Sequence, residues 1–140
     1  MSNALYNIGK NNLLSAGFNL TSASMKTTLT DHADIGAVPP NIATADNYDD
    51  ISAGNVGTPQ AIGSQTVGTV AAGVYDGADV TYTALSGDGV ESISIYKDTG
   101  TPATSMLLVF LDTGTNLTGG FAPNGGNVTI SWNPSGIFAI

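Results

Sequence analysis

Three of four segments between positions 80 and 132 alternate apolar and polar residues with the two-residue period of β-strands, and the other, Met106–Asp112, is apolar on both faces. Successive side chains of a strand point to opposite faces of a sheet, so this period constrains the fold more than any other feature of the sequence. Turn residues, such as Ser-Gly-Asp-Gly at 86–89, separate the segments. We predict four consecutive strands of one sheet, around which the rest of the chain is arranged: Val80–Leu85, Val90–Lys97, Met106–Asp112 and Asn127–Trp132.

The third segment is apolar on both faces. Its alternating residues are Met106, Leu108 and Phe110 on one face and Leu107, Val109 and Leu111 on the other. A strand buried on both faces belongs in the middle of a sandwich. The second and fourth segments have one apolar face, which predicts half-buried strands with one solvent-exposed face. In the second segment the apolar residues are Ile93 and Ile95, and the opposite face carries Ser92, Ser94 and Tyr96. In the fourth segment the apolar residues are Val128, Ile130 and Trp132, and the opposite face carries Asn127, Thr129 and Ser131.

Shorter strand patterns lie on either side of these segments. Many short strands separated by turns at roughly ten-residue intervals are typical of a β-sandwich or jelly roll. The 140 residues suit one domain. We predict an all-β, jelly-roll-like antiparallel β-sandwich with a short N-terminal helix or arm, in which residues 1–140 form a single domain. The further strands are predicted at Phe18–Leu20, Met25–Thr30, Thr58–Ile62, Gln65–Val70 and Val74–Asp76, with an apolar terminal strand within Gly136–Ile140 that pairs with the sheet.

The N-terminal arm, residues 1–18, carries a weak helical pattern. A short amphipathic helix is predicted from Ala4 to Ser15, with Asn3 as its N-cap and Gly17 as its C-terminal stop. Its helix propensity is low, so the segment needs a surface to lie on. That surface is either the chain's own sheet or another subunit, and both alternatives stay open.

Residues 31–53 form the longest region without a strand or helix period, and they include Pro39-Pro40. A loop of this length in a compact domain is usually functional or mobile. One helical turn is predicted around Ala45–Ile51. This loop and the N-terminal arm are the best candidates for contacts with a neighbouring subunit, and the predicted interface residues are Leu5, Tyr6, Ile8, Leu13, Leu14, Tyr48 and Ile51.

The charge balance argues against several classes of partner. Eleven acidic residues against three lysines give a net charge of −8, which repels nucleic-acid phosphates and anionic membranes. No cysteine is present, which excludes disulfides and thiolate chemistry. The N-terminus lacks the pattern of a signal peptide, so we expect synthesis in a cytoplasm. Charged residues make up 10% of the chain, against about a quarter in typical proteins, which favours a secreted or virion-surface β-protein.

Few residues offer catalytic chemistry. His32 is the only histidine and is flanked by Asp31 and Asp34, but no Gly-x-Ser-x-Gly nucleophile motif occurs. Aspartates beside glycine suit turns better than paired-carboxylate catalysis. The three aspartates between positions 46 and 50 offer oxygen ligands, but their spacing matches no EF-hand calcium loop. We predict no enzyme activity, no catalytic residue, no cofactor and no metal.

Trp132 and the five tyrosines suggest one alternative, because aromatic rings stack on sugars in carbohydrate-binding modules. Trp132 shares a strand face with Val128 and Ile130, and a core position is the simpler interpretation of that pattern. A carbohydrate-binding jelly-roll module therefore stays an alternative function.

Several short stretches resemble a group of small tailed-bacteriophage virion proteins. They are ALYNIGK at 4–10, ADVTYTALSGD at 78–88, IYKDTGT at 95–101 and PNGGNVTISW at 123–132, followed by Ile137-Phe138. The resemblance implies a jelly-roll decoration, or cement, protein that sits on the capsid exterior of the virion and clamps adjacent subunits of the major capsid protein. It further implies synthesis in the host cytoplasm and action as a dimer or trimer. A phage head-fibre or tail structural component is the alternative within the same group.

Overall fold

The computed structural model describes residues 3–36, 40–113 and 120–140. Parts of the predicted arm and loop, at positions 1–2 and 37–39, lie outside the described residues. The described chain is mostly β, and its strands pair antiparallel. The strands are β1 (Ala4–Leu5), β2 (Met25–Thr30), β3 (Asn55–Ala61), β4 (Thr66–Val67), β5 (Val74–Asp76), β6 (Val80–Tyr82), β7 (Ser92–Lys97), β8 (Leu107–Leu111), β9 (Val128–Ile130) and β10 (Phe138–Ala139), and the helices are α1 (Asn7–Leu14) and α2 (His32–Ile35), with 3-10 turns at Tyr48–Asp50, Ser52–Gly54 and Pro102–Thr104.

The largest sheet has five strands in the order β1-β8-β7-β2-β3. Strand β2 forms over the predicted range and pairs with β7 along its whole length, from Met25 opposite Lys97 to Thr30 opposite Ser92. Strand β8 is an interior strand buried on both faces, as its sequence predicts, but β7 occupies the middle of the sheet. The edge strand β3 contains Pro59, and proline on an edge discourages pairing with a further strand.

The four strands predicted between positions 80 and 132 all form, but they do not make one sheet. Strands β7 and β8 belong to the five-stranded sheet, whereas β6 pairs with β9 in a two-stranded sheet. The prediction of a sheet built from consecutive strands was therefore wrong. A third sheet has the order β10-β5-β4, so the predicted terminal strand does pair with a sheet, through Phe138 opposite Tyr75.

The main apolar core lies on one face of the five-stranded sheet. Both smaller sheets pack against this face, because Tyr75 of β5 and Val80 and Tyr82 of β6 belong to the same buried cluster as Ile93 and Ile95 of β7. The segment at 18–20, predicted as a strand, is irregular. It nevertheless supplies Phe18 and Leu20 to this core, which explains why these two residues are apolar.

The opposite face of the sheet carries a second apolar cluster, in which Tyr6, Ala45 and Ile51 pack on Tyr96, Leu107 and Phe110. The strict alternation predicted for the third segment is wrong at one point. Val109 lies opposite Ile95 but Leu107 lies opposite Tyr96, so Leu108 is the extra residue of a β-bulge. The bulge puts Leu107 and Phe110 on the same face, three positions apart.

The N-terminal segment differs from its prediction in its first and last turns. Residues 4–5 form β1 beside β8, and α1 begins only at Asn7, after Tyr6 as its N-cap. Asn3 cannot cap the helix because its side-chain oxygen accepts the backbone N–H groups of Asp112 and Thr113, at 2.9 and 3.0 Å. At the other end Ala16, rather than Gly17, adopts the left-handed conformation, with a φ of 59°.

The described part of the 31–53 region lies on the second face of the sheet. It contains α2 and two 3-10 turns, one of which, Tyr48–Asp50, falls where a helical turn was predicted. Ile51 is 1% exposed, so this part of the loop is packed. Of the helices in the described chain, none combines the length and hydropathy needed to span a lipid bilayer.

Candidate functional site

The seven predicted interface residues differ in how far the structure exposes their side chains. Tyr6 and Ile51 are 0% and 1% exposed and belong to the second core cluster, so their side chains are not available to a partner. Leu14, at the end of α1, is 89% exposed and projects into solvent. The other four are half-buried: Leu5, Ile8, Leu13 and Tyr48.

Helix α1 packs on the chain's own sheet, which is one of the two alternatives left open by the sequence. Close backbone contact fixes it there. Gly9 faces β8, where an added Cβ would lie 2.8 Å from the carbonyl oxygen of Leu108. The N–H of Tyr6 donates to the same carbonyl at 3.0 Å. The Tyr6 hydroxyl also contacts the Ser94 hydroxyl at 2.8 Å. The helix that carries Leu14 is thus held in one position.

A buried polar cluster joins α2 to the five-stranded sheet. His32 contacts the Ser92 hydroxyl through Nε2 at 2.8 Å, and its backbone N–H donates to the Glu91 carboxylate at 2.8 Å. Its ring stacks on Phe110 at 6.2 Å between centroids. Asp31 caps α2 by accepting the N–H of Ala33 at 2.8 Å.

The sequence predicted a wet face where this cluster lies, and that prediction was wrong. Ser92 and Ser94 are 0% exposed, because Tyr6 and His32 cover them. Thr28 lies opposite Ser94 and Thr30 opposite Ser92. Small hydroxyl residues in register on two adjacent strands were the signal available in the sequence, since they can hydrogen-bond to a covering layer.

Burial sets the protonation states of this cluster. Desolvation lowers the pKa of His32 against the opposing influence of Glu91, Asp112 and Asp31. Burial raises the pKa of Tyr6 to about 12, so its hydroxyl stays neutral. Ser92 and His32 have the spacing of a nucleophile and its base, but the serine oxygen is enclosed in this conformation. The arrangement fixes α2 to the sheet.

Two groups of acidic residues bear on the question of a metal site. Asp50 accepts the N–H groups of Asp46 and Asn47, at 2.8 and 3.1 Å, which is turn chemistry rather than a calcium loop. A different set brings carboxylate oxygens within 4.8 Å of one another: Asp31, Asp34 and Asp88. These three offer hard oxygen ligands of the type that calcium or magnesium takes. Sequence reasoning missed this set because Asp88 is far from the other two in the chain.

A cleft of about 740 Å³ opens between the five-stranded sheet and the strands near the C-terminus. Ile93 and Leu111 form one wall, and Phe121, Ile130 and Trp132 line the other side. Trp132, for which the strand pattern predicted a core position, is half-buried against the main core, and its indole N–H donates to the carbonyl of Ala78 at 2.9 Å. Among the described residues that line the cleft, none has an ionisable side chain.

The fold and these sites define a small antiparallel β-protein with an anchored N-terminal helix and an uncharged cleft. No protein-family model and no curated protein matches the chain.

Proposed function

We propose that this chain is a structural virion protein, a decoration or cement protein that binds the exterior of a phage head and stabilises contacts between major capsid subunits. The proposal starts from the four stretches that resemble small tailed-phage virion proteins. The observation that carries it further is the exposed Leu14 on an anchored helix, since an apolar side chain held away from the core suits docking against another protein.

The anchoring of α1 favours attachment by a preformed surface rather than by a flexible arm. The close approach of Gly9 to Leu108 and the contact of Tyr6 with Ser94 keep the helix ordered before any partner is bound. A surface that is ordered in advance loses less conformational entropy on binding. Ile8 and Leu13 on the same helix pack against the two core clusters, which leaves Leu14 as the apolar side chain of α1 that faces solvent.

Stabilisation of a shell follows from linkage. A protein that binds only the assembled lattice adds its binding free energy to the stability of that lattice. Each contact can be weak when one molecule touches several neighbouring subunits, because the later contacts are intramolecular. The finer fold proposed for this role is a jelly-roll-like sandwich, in which the two smaller sheets face the five-stranded sheet across the main core.

The first test is the copy number of the chain in purified particles, measured by quantitative mass spectrometry against the major capsid protein. A ratio near one, or a simple fraction of one, supports a lattice position. A ratio of a few per cent or less moves the chain to the alternative role of a head fibre or tail component. Absence from particles would overturn the virion role.

The second test asks whether Leu14 makes the contact. Leu14→Asp should abolish binding of the recombinant chain to undecorated heads, measured by co-sedimentation, while its far-UV circular dichroism stays unchanged. Asn7→Asp is the matched control, because it adds the same charge at another exposed position of α1 without removing an apolar side chain. Unchanged binding by Leu14→Asp would show that α1 is not the attachment surface.

A carbohydrate-binding module is the second candidate, and the cleft beside Trp132 favours it. Its lining combines an aromatic ring with uncharged hydroxyl and amide groups of Thr129, Ser131 and Asn133, which suit a neutral sugar. Titration with a glycan panel should change the emission of Trp132 if the cleft binds sugar. The control is Trp132→Phe. This variant should still bind the glycan when binding is measured by calorimetry, but it should give no change in tryptophan emission.

A further inference from the structure

The turn that precedes β9 contains the only Asn-Gly pair in the sequence, Asn124-Gly125. Both residues are exposed, and a Cβ added to Gly125 would meet no atom within 4 Å, so water reaches the peptide bond between them. Glycine has no side chain that could shield its backbone nitrogen. That nitrogen can therefore approach the side-chain carbonyl carbon of the preceding asparagine.

The fold polarises the side-chain amide of Asn124. Its oxygen, Oδ1, accepts the N–H of Gly126 at 2.9 Å, in a contact that spans Gly125. A hydrogen-bond donor on a carbonyl oxygen stabilises the negative charge that develops there when a nucleophile adds to the carbon. The electrophile of a ring closure between Asn124 and Gly125 is thus prepared in the folded chain.

The nitrogen that would attack is restrained. The N–H of Gly125 donates to the carbonyl of Leu85 at 2.7 Å, and the N–H of Leu85 donates to the carbonyl of Gly126 at 2.9 Å. Asn127 adds a third contact, because its side-chain oxygen accepts the N–H of Ala84 at 3.0 Å. The Gly125 amide keeps its proton while it is bonded to Leu85, so the turn must open before the nitrogen can react.

Opening of this turn costs little. Residues 124–127 are all exposed, and segments with exposed backbone hydrogen bonds open at a low free energy. The segment that pairs with the turn includes Ala84, whose φ of 50° is unfavourable for a residue with a Cβ. We therefore expect the turn to open locally, without unfolding of the whole domain.

We propose that Asn124 is a site of spontaneous deamidation, at a rate set by opening of the turn at 124–127. In the open turn the Gly125 nitrogen loses its proton to a base in the solvent and bonds to Cγ of Asn124, while the side-chain amide leaves as ammonia. Water then opens the resulting succinimide ring to aspartate or isoaspartate. The net reaction takes up one water and releases one ammonia, and nothing is oxidised or reduced.

The modification changes the charge of an uncharged region. Positions 113–140 contain no Asp, Glu, Lys, Arg or His, and either product places a negative charge at position 124. Isoaspartate also adds an atom to the backbone, which disturbs the pairing of Gly125 and Gly126 with Leu85. The reaction therefore loosens the turn that precedes β9. This inference concerns the chain's own chemistry and holds whether or not the chain binds a phage head.

Peptide mass spectrometry of the full chain, after incubation in mildly alkaline buffer, tests the proposal. The readouts at position 124 are the mass gain when an amide NH₂ becomes OH and the enzymatic labelling of isoaspartate. Conversion should be about tenfold or more faster in guanidinium chloride than in native buffer at the same pH, because unfolding removes the bond to Leu85. Asn124→Gln is the control, since its longer side chain closes a ring more slowly, and it should give no isoaspartate there.

A second pair of variants tests the role of the turn in the folded protein. Asn127→Ala removes the contact with Ala84 and should raise the rate at Asn124 in native buffer about two- to tenfold, the factor expected from the loss of one hydrogen bond. Asn11→Ala is the matched control, because it makes the same change at an exposed position of α1 and should leave the rate unchanged. Far-UV circular dichroism checks that both variants are folded.

Three results would contradict the proposal. No conversion at Asn124 in either native buffer or guanidinium chloride would exclude the site. Equal rates in the two conditions would show that the bond to Leu85 does not restrain the reaction. Equal rates for Asn127→Ala and Asn11→Ala would show that opening of this turn does not set the rate.

Discussion

His32 shows how a polar side chain can be part of a core. The residue is 7% exposed, and its ring stacks on Phe110 and contacts the Ser92 hydroxyl. The sequence singled out His32 as the only histidine, but the serine that it contacts is 60 positions away in the chain. Spacing along the chain could not reveal that contact, since it depends on how α2 is placed against β7.

We expect the stability of the protein to fall as the pH is lowered through the ordinary pKa of histidine, about 6.5. The folded chain holds the pKa of His32 below that value, because burial disfavours the charged ring. The unfolded chain therefore binds a proton more readily, and acid shifts the equilibrium towards unfolding. The measurement is the free energy of unfolding by urea between about pH 7.5 and pH 5.5.

The control for this prediction is His32→Gln, which keeps a hydrogen-bonding group near Ser92 but cannot be protonated. Its stability should change less over the same pH range than that of the wild type. An equal pH dependence in the two proteins would place the titrating group elsewhere.

At the element scale, the sequence predicts the strands better than their partners. Strands β2 and β5 form over the predicted ranges Met25–Thr30 and Val74–Asp76. The period of a strand shows which side chains are apolar, but any strand with an apolar face can pair with any other. The separation of β6 and β9 from β7 and β8, and the bulge at Leu108, arise from pairing and could not be read from local patterns.

The exposure of the predicted interface residues also depends on tertiary contacts that local patterns do not show. Leu14 was among the predicted interface residues and is exposed, whereas Tyr6 and Ile51 were included for the same apolar character and are buried. The helical pattern of residues 4–15 was too weak to fix which face meets the sheet. The deciding residue is Gly9, whose missing side chain lets α1 approach β8.

Gly9→Ala should therefore destabilise the protein. The new Cβ would lie 2.8 and 2.9 Å from backbone atoms of Leu108, which cannot move as a flexible side chain can. We expect a loss of about 1–3 kcal/mol from overpacking, despite the better helix propensity of alanine, which contributes about 1 kcal/mol. Thermal and urea unfolding measure the effect.

Gly63→Ala is the matched control for this substitution. Gly63 is exposed, and a Cβ added there meets nothing within 4 Å. Its stability should equal or slightly exceed that of the wild type. If both alanine variants behave alike, the close contact between α1 and β8 does not determine stability.

At the scale of the whole molecule, one apolar core draws on all three sheets. Tyr75 from the sheet β10-β5-β4 and Tyr82 from the sheet β6-β9 share a cluster with Ile95 at the middle of the largest sheet. The Asp, Glu, Lys and His side chains, by contrast, are confined to positions 1–50 and 76–112. The three sheets therefore share one core, whereas the charged residues are restricted to two parts of the sequence.

The shared core predicts a single cooperative unfolding transition. Trp132 is the only tryptophan and hydrogen-bonds to Ala78 and Asp79, so its fluorescence reports on the region of the two smaller sheets. Far-UV circular dichroism reports on all of the strands. We expect the two signals to give the same midpoint in urea. An earlier transition in the fluorescence would show that the smaller sheets unfold as a separate unit.

The long-range contacts of the N-terminal segment also determine when the surface of α1 becomes ordered during folding. Asn3 bonds to Thr113, which is 110 positions further along the chain, and β1 pairs with β8 at the edge of the sheet. Closing so large a loop is slow, and contacts between distant residues delay folding. We expect β1 and α1 to be among the last elements to settle during folding. A newly made or partly folded molecule would then lack the ordered helix that carries Leu14, so under the proposed attachment through Leu14 only fully folded molecules would bind.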